Sequence, residues 1–336
     1  MNKKWGILVH LGHNMWGTRQ TELHFNDEVW NEYVEHCVAN GINFIVMDIG
    51  EGVQWESHPE LSIKGSWSKE KVASEVLRLR EKGIEIIPKL NFSATHDAWL
   101  GIYERMVSTP EYYKVTKDLI EEIYEMFLHP SAIHIGMDEE NWKHAKSDSM
   151  VVIRNSSLQV DDINYFTKCV EDLGATCHMW HDPYCNVKEE DAARIKGTVM
   201  PYVWMYYSYL KENWTLISEQ SQEVIDFYAT EFVRRYGYTI EYVEESPSVI
   251  NAMKLLDDFF KEKRHFFLAT SNLYIKNCEC DAVEYVSRNN ADLSLLDGMI
   301  GTPWSQMVPE NKELFWEAAE LVGKARKQAE AIVSGC

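Results

Sequence analysis

The sequence predicts an α/β protein built as a single closed (β/α)8 barrel of the TIM-barrel class over residues 1–336. Three observations predict it. Strand-like apolar runs alternate with helix-period segments along the whole chain, the pattern of a parallel sheet with helical crossovers. Eight such units can be counted, enough to close a barrel, although the alternation also allows an open doubly wound sheet. Residues able to do chemistry gather after the strands, where such barrels place their sites, while the opposite ends carry mostly Gly, Lys and Arg.

The first strand covers 5–11. Its helix starts after Asn26, whose side chain suits the orphan N–H groups of a first turn, and runs to Ala39 before the Asn40-Gly41 stop. The second strand is 43–48. A long loop leads to a helix that opens at Ser68 and closes at Lys82-Gly83, and the third strand is 84–90. Helix three is expected over 116–128, halted by His129-Pro130, before a fourth strand at 132–136. Helix four, 162–173, ends at Gly174, and 176–180 supplies strand five. A short helix over 189–195 precedes strand six, 198–205. An insertion at about 210–263 holds two helical patterns, 221–235 and 248–263, more than one crossover needs. Strand seven is 265–269, strand eight 298–302, and 312–332 forms the closing helix.

Charge narrows the partners. With 53 acidic residues against 33 basic, a net charge of -20 repels phosphate backbones and anionic membrane surfaces. Nucleic acid and membrane partners are therefore not expected, and a neutral or cationic substrate fits better. The apolar stretch 7–11 is broken by His10 and Gly12 before it reaches signal-peptide length, and no run approaches the roughly 18–20 residues that span a bilayer. Seven irregularly spaced cysteines, an odd number, argue for reduced thiols, so a cytoplasmic location is expected. Cys278-Glu279-Cys280 has no second cluster and is too little for a metal site.

The strand ends are unusually loaded: His10 and His13, Asp48, Asn91 and His96, Asp138 and Glu139, Trp180 to Asp182, Trp204, Tyr274, and Trp304. Ile133 to Glu140 is a strand that ends in acid. Neighbouring carboxylates at a strand end project to opposite sides, so they can act on different atoms of one substrate while perturbing each other's pKa. One holds a proton while the other stays charged, the division a glycosidase needs. By spacing alone the pair fits equally a helix cap or a solvated loop cluster. Tryptophans 55, 67, 99, 142, 180, 204 and 304 tip the balance, since all fall in loops or strand ends where a set of indoles suits a carbohydrate pocket.

His134-Ile135-Gly136-Met137-Asp138-Glu139 resembles the His-x-Gly-Gly-Asp-Glu signature of family 20 glycoside hydrolases, the β-N-acetylhexosaminidases, with Met137 replacing the second glycine. Gly52 to Trp55 with His58-Pro59-Glu60-Leu61 is similar to that family's strand-two loop. Gly83 to Pro88 followed by His96 is similar to its strand three. Met179 to Asp182, Trp204, Tyr274 and Thr302-Pro303-Trp304 resemble its strand ends five to eight. The resemblance covers roughly residues 40–305.

It implies an exo-acting, retaining enzyme without metal or organic cofactor, acting on a small molecule or oligosaccharide that ends in a β-linked N-acetylhexosamine. The substrate's own acetamido carbonyl attacks the anomeric carbon and forms an oxazoline, an exception to the two-carboxylate scheme. Asp138 would polarise the acetamido N–H, and Glu139 would be general acid, then base. Tyr274 would bond the acetamido oxygen, Trp180, Trp204 and Trp304 would wall the sugar, and His96 and His134 would stand behind. Asp182, Gln306 and Trp55 complete the candidate substrate-binding residues. Two departures bear on specificity. The family's arginine after strand one, which grips O3 and O4, has only the displaced Arg19 to answer it, and the Trp-x-Glu of strand eight appears as Trp304-Ser305-Gln306. Because O4 orientation separates the two sugars, N-acetylgalactosamine is favoured, alone or with N-acetylglucosamine. The alternatives are a barrel glycosidase for another β-hexoside and a non-catalytic carbohydrate-binding barrel, against which the intact acid pair speaks.

Overall fold

The computed structural model describes residues 3–140, 152–206, 247–273 and 278–335. Eight parallel strands close in chain order: β1 (Lys4–His10), β2 (Phe44–Asp48), β3 (Glu85–Lys89), β4 (Ala132–His134), β5 (Thr176–Trp180), β6 (Met200–Trp204), β7 (Phe266–Thr270) and β8 (Leu296–Gly301). β8 pairs back onto β1, Lys4 opposite Gly298 and Ile7 opposite Gly301, which rules out the open sheet. Strands of a parallel barrel are covered on both faces, and every residue of β2 and β7 is accordingly buried.

Helices α1 (Asp27–Ala39), α2 (Lys69–Glu81), α3 (Pro110–Met126), α4 (Ser156–Asp172), α5 (Asp182–Asn186), α6 (Glu189–Ala192), α7 (Pro247–Glu262), α8 (Cys278–Asn289) and α9 (Lys312–Ser334) follow the strands. Asn26 and Ser68 cap as expected, accepting from the N–H groups of Val29 and Lys71. Two helices begin earlier than their apolar stripe suggests. Thr109 caps α3 with Pro110 in its first turn, and Asn155 caps α4. Two short helices, α5 and α6, replace the single one expected over 189–195, and α8 is a crossover the sequence reading did not delimit. The 221–235 pattern and most of the insertion lie outside the described residues; α7 is its final helix.

The larger apolar core fills the space between sheet and helices. A second layer, including Leu8, Val46, Ile87, Tyr202, Phe267 and Ile300, fills the barrel itself. Above it lies charge. Lys89 ends β3 at 2% exposure with its Nζ 2.5 Å from Asp48 Oδ2, and His10 Nδ1 is 3.2 Å from the same oxygen. Burial opposes ionisation of Asp48, but Lys89 and His10 outweigh it and hold the carboxyl below the usual carboxylate range. No disulfide joins the described cysteines, and no described helix is long and apolar enough to cross a membrane.

Candidate active site

β4 stops at His134, short of the expected Gly136, because the backbone then turns left-handed at Gly136 (φ 73°), Met137 (φ 72°) and Glu139 (φ 51°). A Cβ at Gly136 would stand 2.1 Å from Asn91 Oδ1, so only glycine lets the loop after β4 press against the loop after β3. Two non-glycine residues in this region within one loop store strain that the surrounding contacts must hold.

Asn91 is the main brace. Its Nδ2 donates to Asp138 Oδ1 (2.7 Å), and its Oδ1 accepts from the N–H groups of Met137 (3.2 Å) and Ser93 (3.1 Å). The hydroxyl of Ser93 donates to the Asp138 carbonyl at 2.5 Å. Trp99 fixes Asn91 in turn, donating from Nε1 to its carbonyl (3.0 Å). From the other side, the Glu139 N–H donates to Asp182 Oδ1 after β5 (3.2 Å). The two acids are thereby held between neighbouring loops. Asp138 is buried, while the Glu139 side chain keeps 28% of its surface open.

His96 faces both acids, its Nε2 3.7 Å from Asp138 Oδ2 and 3.6 Å from Glu139 Oε2, with Nδ1 2.9 Å from the Thr95 hydroxyl. Burial lowers its pKa; the Asp138 charge opposes this and Lys89 reinforces it, so the ring is neutral at pH 7. Asp182 moves the other way. Burial, then the charges of Asp138 and Glu139, push its carboxyl well above the usual range, and its Oδ2 has no hydrogen-bond partner. As the third carboxyl of the cluster it holds its proton more tightly than an ordinary aspartate.

One residue beyond Glu139, Glu140 is gripped by Arg154. The guanidinium donates from Nε to Oε1 (2.8 Å) and from Nη2 to Oε2, and it also reaches Asp162 (2.7 Å) and the Phe92 carbonyl (3.0 Å). Glu140 Oε2 accepts the Ala94 N–H as well, at 3.0 Å. This buried network, like the Lys89–Asp48 pair, was missed by sequence reasoning. A lysine inside an apolar strand was the one available signal for Lys89; nothing local marks Arg154.

Trp180, Trp204 and Trp304, from the ends of β5, β6 and β8, form one aromatic wall. The Trp180 ring lies 5.5 Å from Trp204 and 5.7 Å from Trp304, and Tyr206 stacks on Trp204 at 5.7 Å. Trp180 is fully buried and its Nε1–H meets no acceptor, whereas Trp204 and Trp304 are partly open. His134 lies edge-on to Trp180 at 4.7 Å; its Nδ1 accepts the Gly136 N–H (3.1 Å), leaving the proton on Nε2, and burial keeps the ring neutral.

Asp138, Glu139, His96, Asp182, Trp180, Trp204 and Trp304 thus come together. Gln306 lies between β8 and β1, its backbone bridged to His10, but its amide donates to Gln20 Oε1 at 2.9 Å. Trp55 is corrected: at 2% exposure it belongs to the core, packed beside Trp99 (6.3 Å) with Nε1 donating to the Gly50 carbonyl. Trp67 and Trp99 are equally buried. Trp55 and Trp99 pack on each other between the loops after β2 and β3, and Trp67 meets Phe25 edge-on, so these rings serve packing. The Arg19 guanidinium is taken by Glu104 (2.6 Å) and by the carbonyls of Trp16 and Thr18. Tyr274 and Trp142 lie outside the described residues. Among the described residues, no group of three or more His, Cys, Asp or Glu is arranged to hold a metal ion.

Fold and site together define a (β/α)8 barrel whose strand C-termini carry paired acids beside a wall of indoles. The same fold recurs in dispersin B, with 11% sequence identity and a TM-score of 0.55 over 96% of this chain and 99% of that one. It recurs in the β-N-acetylhexosaminidase of Bacteroides fragilis (12%, 0.58, over 95% of this chain and 65% of that one). The chitobiase of Flavobacterium johnsoniae is a third case (15%, 0.61, 99% and 51%). The chain spans nearly all of dispersin B but about two thirds and one half of the other two. At these identities the likeness is one of fold. No family model and no curated sequence matches the chain.

Proposed function

We propose that this barrel is an exo-acting, retaining β-N-acetylhexosaminidase working by substrate assistance. The observation that carries the reading is the pair Asp138 and Glu139, set in left-handed turns at the end of β4, facing a neutral His96. Asp138, buried and already bonded through one oxygen to Asn91, has Oδ2 to offer an acetamido N–H, which orients the acetamido carbonyl onto the anomeric carbon. Glu139, the more open of the two, gives its proton to the glycosidic oxygen as that bond breaks and the carbonyl oxygen bonds to C1. Water then attacks C1, Glu139 takes back a proton, and the oxazoline reopens to the acetamide. Asp182, its carboxyl pushed well above the usual range, lies beside the acids, and Trp180, Trp204 and Trp304 enclose the sugar. With Gln306 bonded to Gln20 and Arg19 to Glu104, neither grips O4 in the family's manner, which supports turnover of N-acetylgalactosaminides alongside or above N-acetylglucosaminides.

Aryl β-N-acetylglucosaminide, β-N-acetylgalactosaminide, β-glucoside and β-galactoside offered side by side test this. Only the acetamido sugars should be cleaved. Asp138→Asn and Glu139→Gln should each lower that turnover by orders of magnitude with the fold intact, and a thiazoline mimic of the cyclised intermediate should inhibit. Cleavage of a plain hexoside with neither acetamido sugar touched overturns substrate assistance.

A further inference from the structure

We propose that Trp16 forms the leaving-group subsite, a stacking platform for a neutral pyranose on the far side of the bond that Glu139 protonates. The proposal rests on the glycosidase reading above and names the class of aglycone that the same site takes.

Trp16 is 38% exposed, among few large apolar side chains left open to solvent. A single exposed indole is unremarkable by itself. Its backbone is not: φ is 50°, a left-handed conformation that bulky L-residues avoid. The strain is held by specific bonds. The Trp16 N–H donates to the Thr95 carbonyl (3.1 Å), and the Trp16 carbonyl accepts from Arg19 Nη1 (2.8 Å). Arg19 is anchored in turn to Glu104 on the 3-10 segment Ala98–Met106. The arginine near strand one thus sets the turn that presents the indole.

The indole packs on His96, the ring that faces the acids. Its ring centroid lies 5.0 Å from that of His96, tilted by 59°, and His96 Nε2 is 3.6 Å from Glu139 Oε2. Around the closed ring, Trp180 and Trp204 follow β5 and β6 on one side of Glu139, which follows β4; Trp16, in the loop after β1, packs over Thr95 and His96 of the loop after β3 on the other side, and Trp304 follows β8 across the rim. A sugar enclosed by the three indoles that hands its glycosidic oxygen to Glu139 directs the ring beyond that oxygen towards Trp16. A pyranose offers an apolar C–H face that stacks on an indole. No charge on the aglycone is called for, since Arg19 and Lys89 already have carboxylate partners.

The test compares Trp16→Ala, Trp16→Phe and the full wild-type chain on two substrates of whichever N-acetylhexosamine series it turns over faster. One is a β-linked disaccharide; the other is the glycosyl fluoride, whose leaving group reaches nothing beyond C1 and departs without needing a donated proton. Trp16→Ala should lose about tenfold in kcat/KM on the disaccharide, mainly through KM. On the fluoride it should stay within about twofold of wild type, and Trp16→Phe should recover most of the disaccharide loss. Equal losses on both substrates would mean that Trp16 acts only through His96 or the fold, and undiminished disaccharide turnover would mean no contact; either removes the subsite and leaves the glycosidase reading standing. Wild-type protein inert towards both substrates removes the glycosidase reading, and the subsite with it.

Discussion

Replacing Glu279 by glutamine should stabilise the barrel at neutral pH and confer nothing in acid. Glu279 lies in the first turn of α8 and is fully buried, its carboxyl oxygens near Thr270 and Cys278 but without a well-formed hydrogen bond to either. Burial is the main influence on it, relieved only in part by its own backbone, Thr270 and Cys278 and reinforced by Glu317, so its pKa is pushed up from 4.5 to about 7. Because the folded value stands above the unfolded one, both states keep the proton below pH 4.5 and no stability is lost there. Between pH 4.5 and about 7 the unfolded chain releases its proton first, and stability falls by a little over 1 kcal/mol per unit, roughly 3 kcal/mol in all. Glutamine has the same shape and no charge, so it escapes that loss, but its amide brings unpartnered polar atoms at a cost of about 1 kcal/mol. The net gain at pH 8 is about 2 kcal/mol, or ~3 °C in Tm for a chain of this size. At pH 4 the variant should match the wild type or melt slightly lower. Matched thermal scans at pH 4, 6 and 8 decide it. A gain that does not change with pH, or no gain at pH 8, refutes the argument from buried ionisation.

Gly136→Ala would place a Cβ 2.1 Å from Asn91 Oδ1 and 2.8 Å from Asn91 Cα at φ 73°, so denaturant melts should show a loss of at least about 2 kcal/mol and turnover should collapse with it. Wild-type stability in that variant would show that the brace gives way easily. Arg154→Met leaves Glu140 and Asp162 buried without their cation, for an expected cost of about 3–5 kcal/mol in the urea midpoint. In the surviving folded enzyme kcat should fall more than KM rises, because Glu140 adjoins Glu139. Trp16→Gly relieves a left-handed φ of 50°, so melting should show a gain of about 1 kcal/mol while disaccharide turnover drops. A stability loss there would mean that the turn is not strained.

The strands were legible because a parallel strand covered on both faces leaves an unbroken apolar run, as 44–48 and 266–270 do. Caps made by one residue, Asn26 and Ser68, were legible too. The starts of α3 and α4 were not, since their first turns precede the apolar stripe that marks each helix. The Cys278-Glu279-Cys280 opening of α8 likewise reads as a thiol pair before it reads as a helix. Closure of the barrel gathers every strand end onto one rim, and that is why Asp138, Glu139, His96, Asp182, Trp180, Trp204 and Trp304 could be grouped by position alone. Position could not say that Trp55 and Trp99 would bury each other between the loops after β2 and β3, or that Trp67 would pack on Phe25. Nor could it pair Lys89 with Asp48, which the β2–β3 register sets side by side, or Arg154 with Glu140, which no local pattern marks.

The bonds that lash the loops after β3, β4 and β5 together, from Asn91 to Asp138, Ala94 to Glu140 and Glu139 to Asp182, have a consequence for how the molecule can diverge. That third of the rim moves as one piece, so a change in any of its loops disturbs the others. The turn bearing Trp16 touches that block through Thr95 and the Arg19–Glu104 pair, its other bonds running to Glu51 and Gln306. New substrates are therefore most readily acquired by rebuilding the tip of the β1 turn against an unchanging acid pair, and a library confined to residues 15–18, sparing Asn14 and Arg19, should yield altered aglycone preference at little cost in folding.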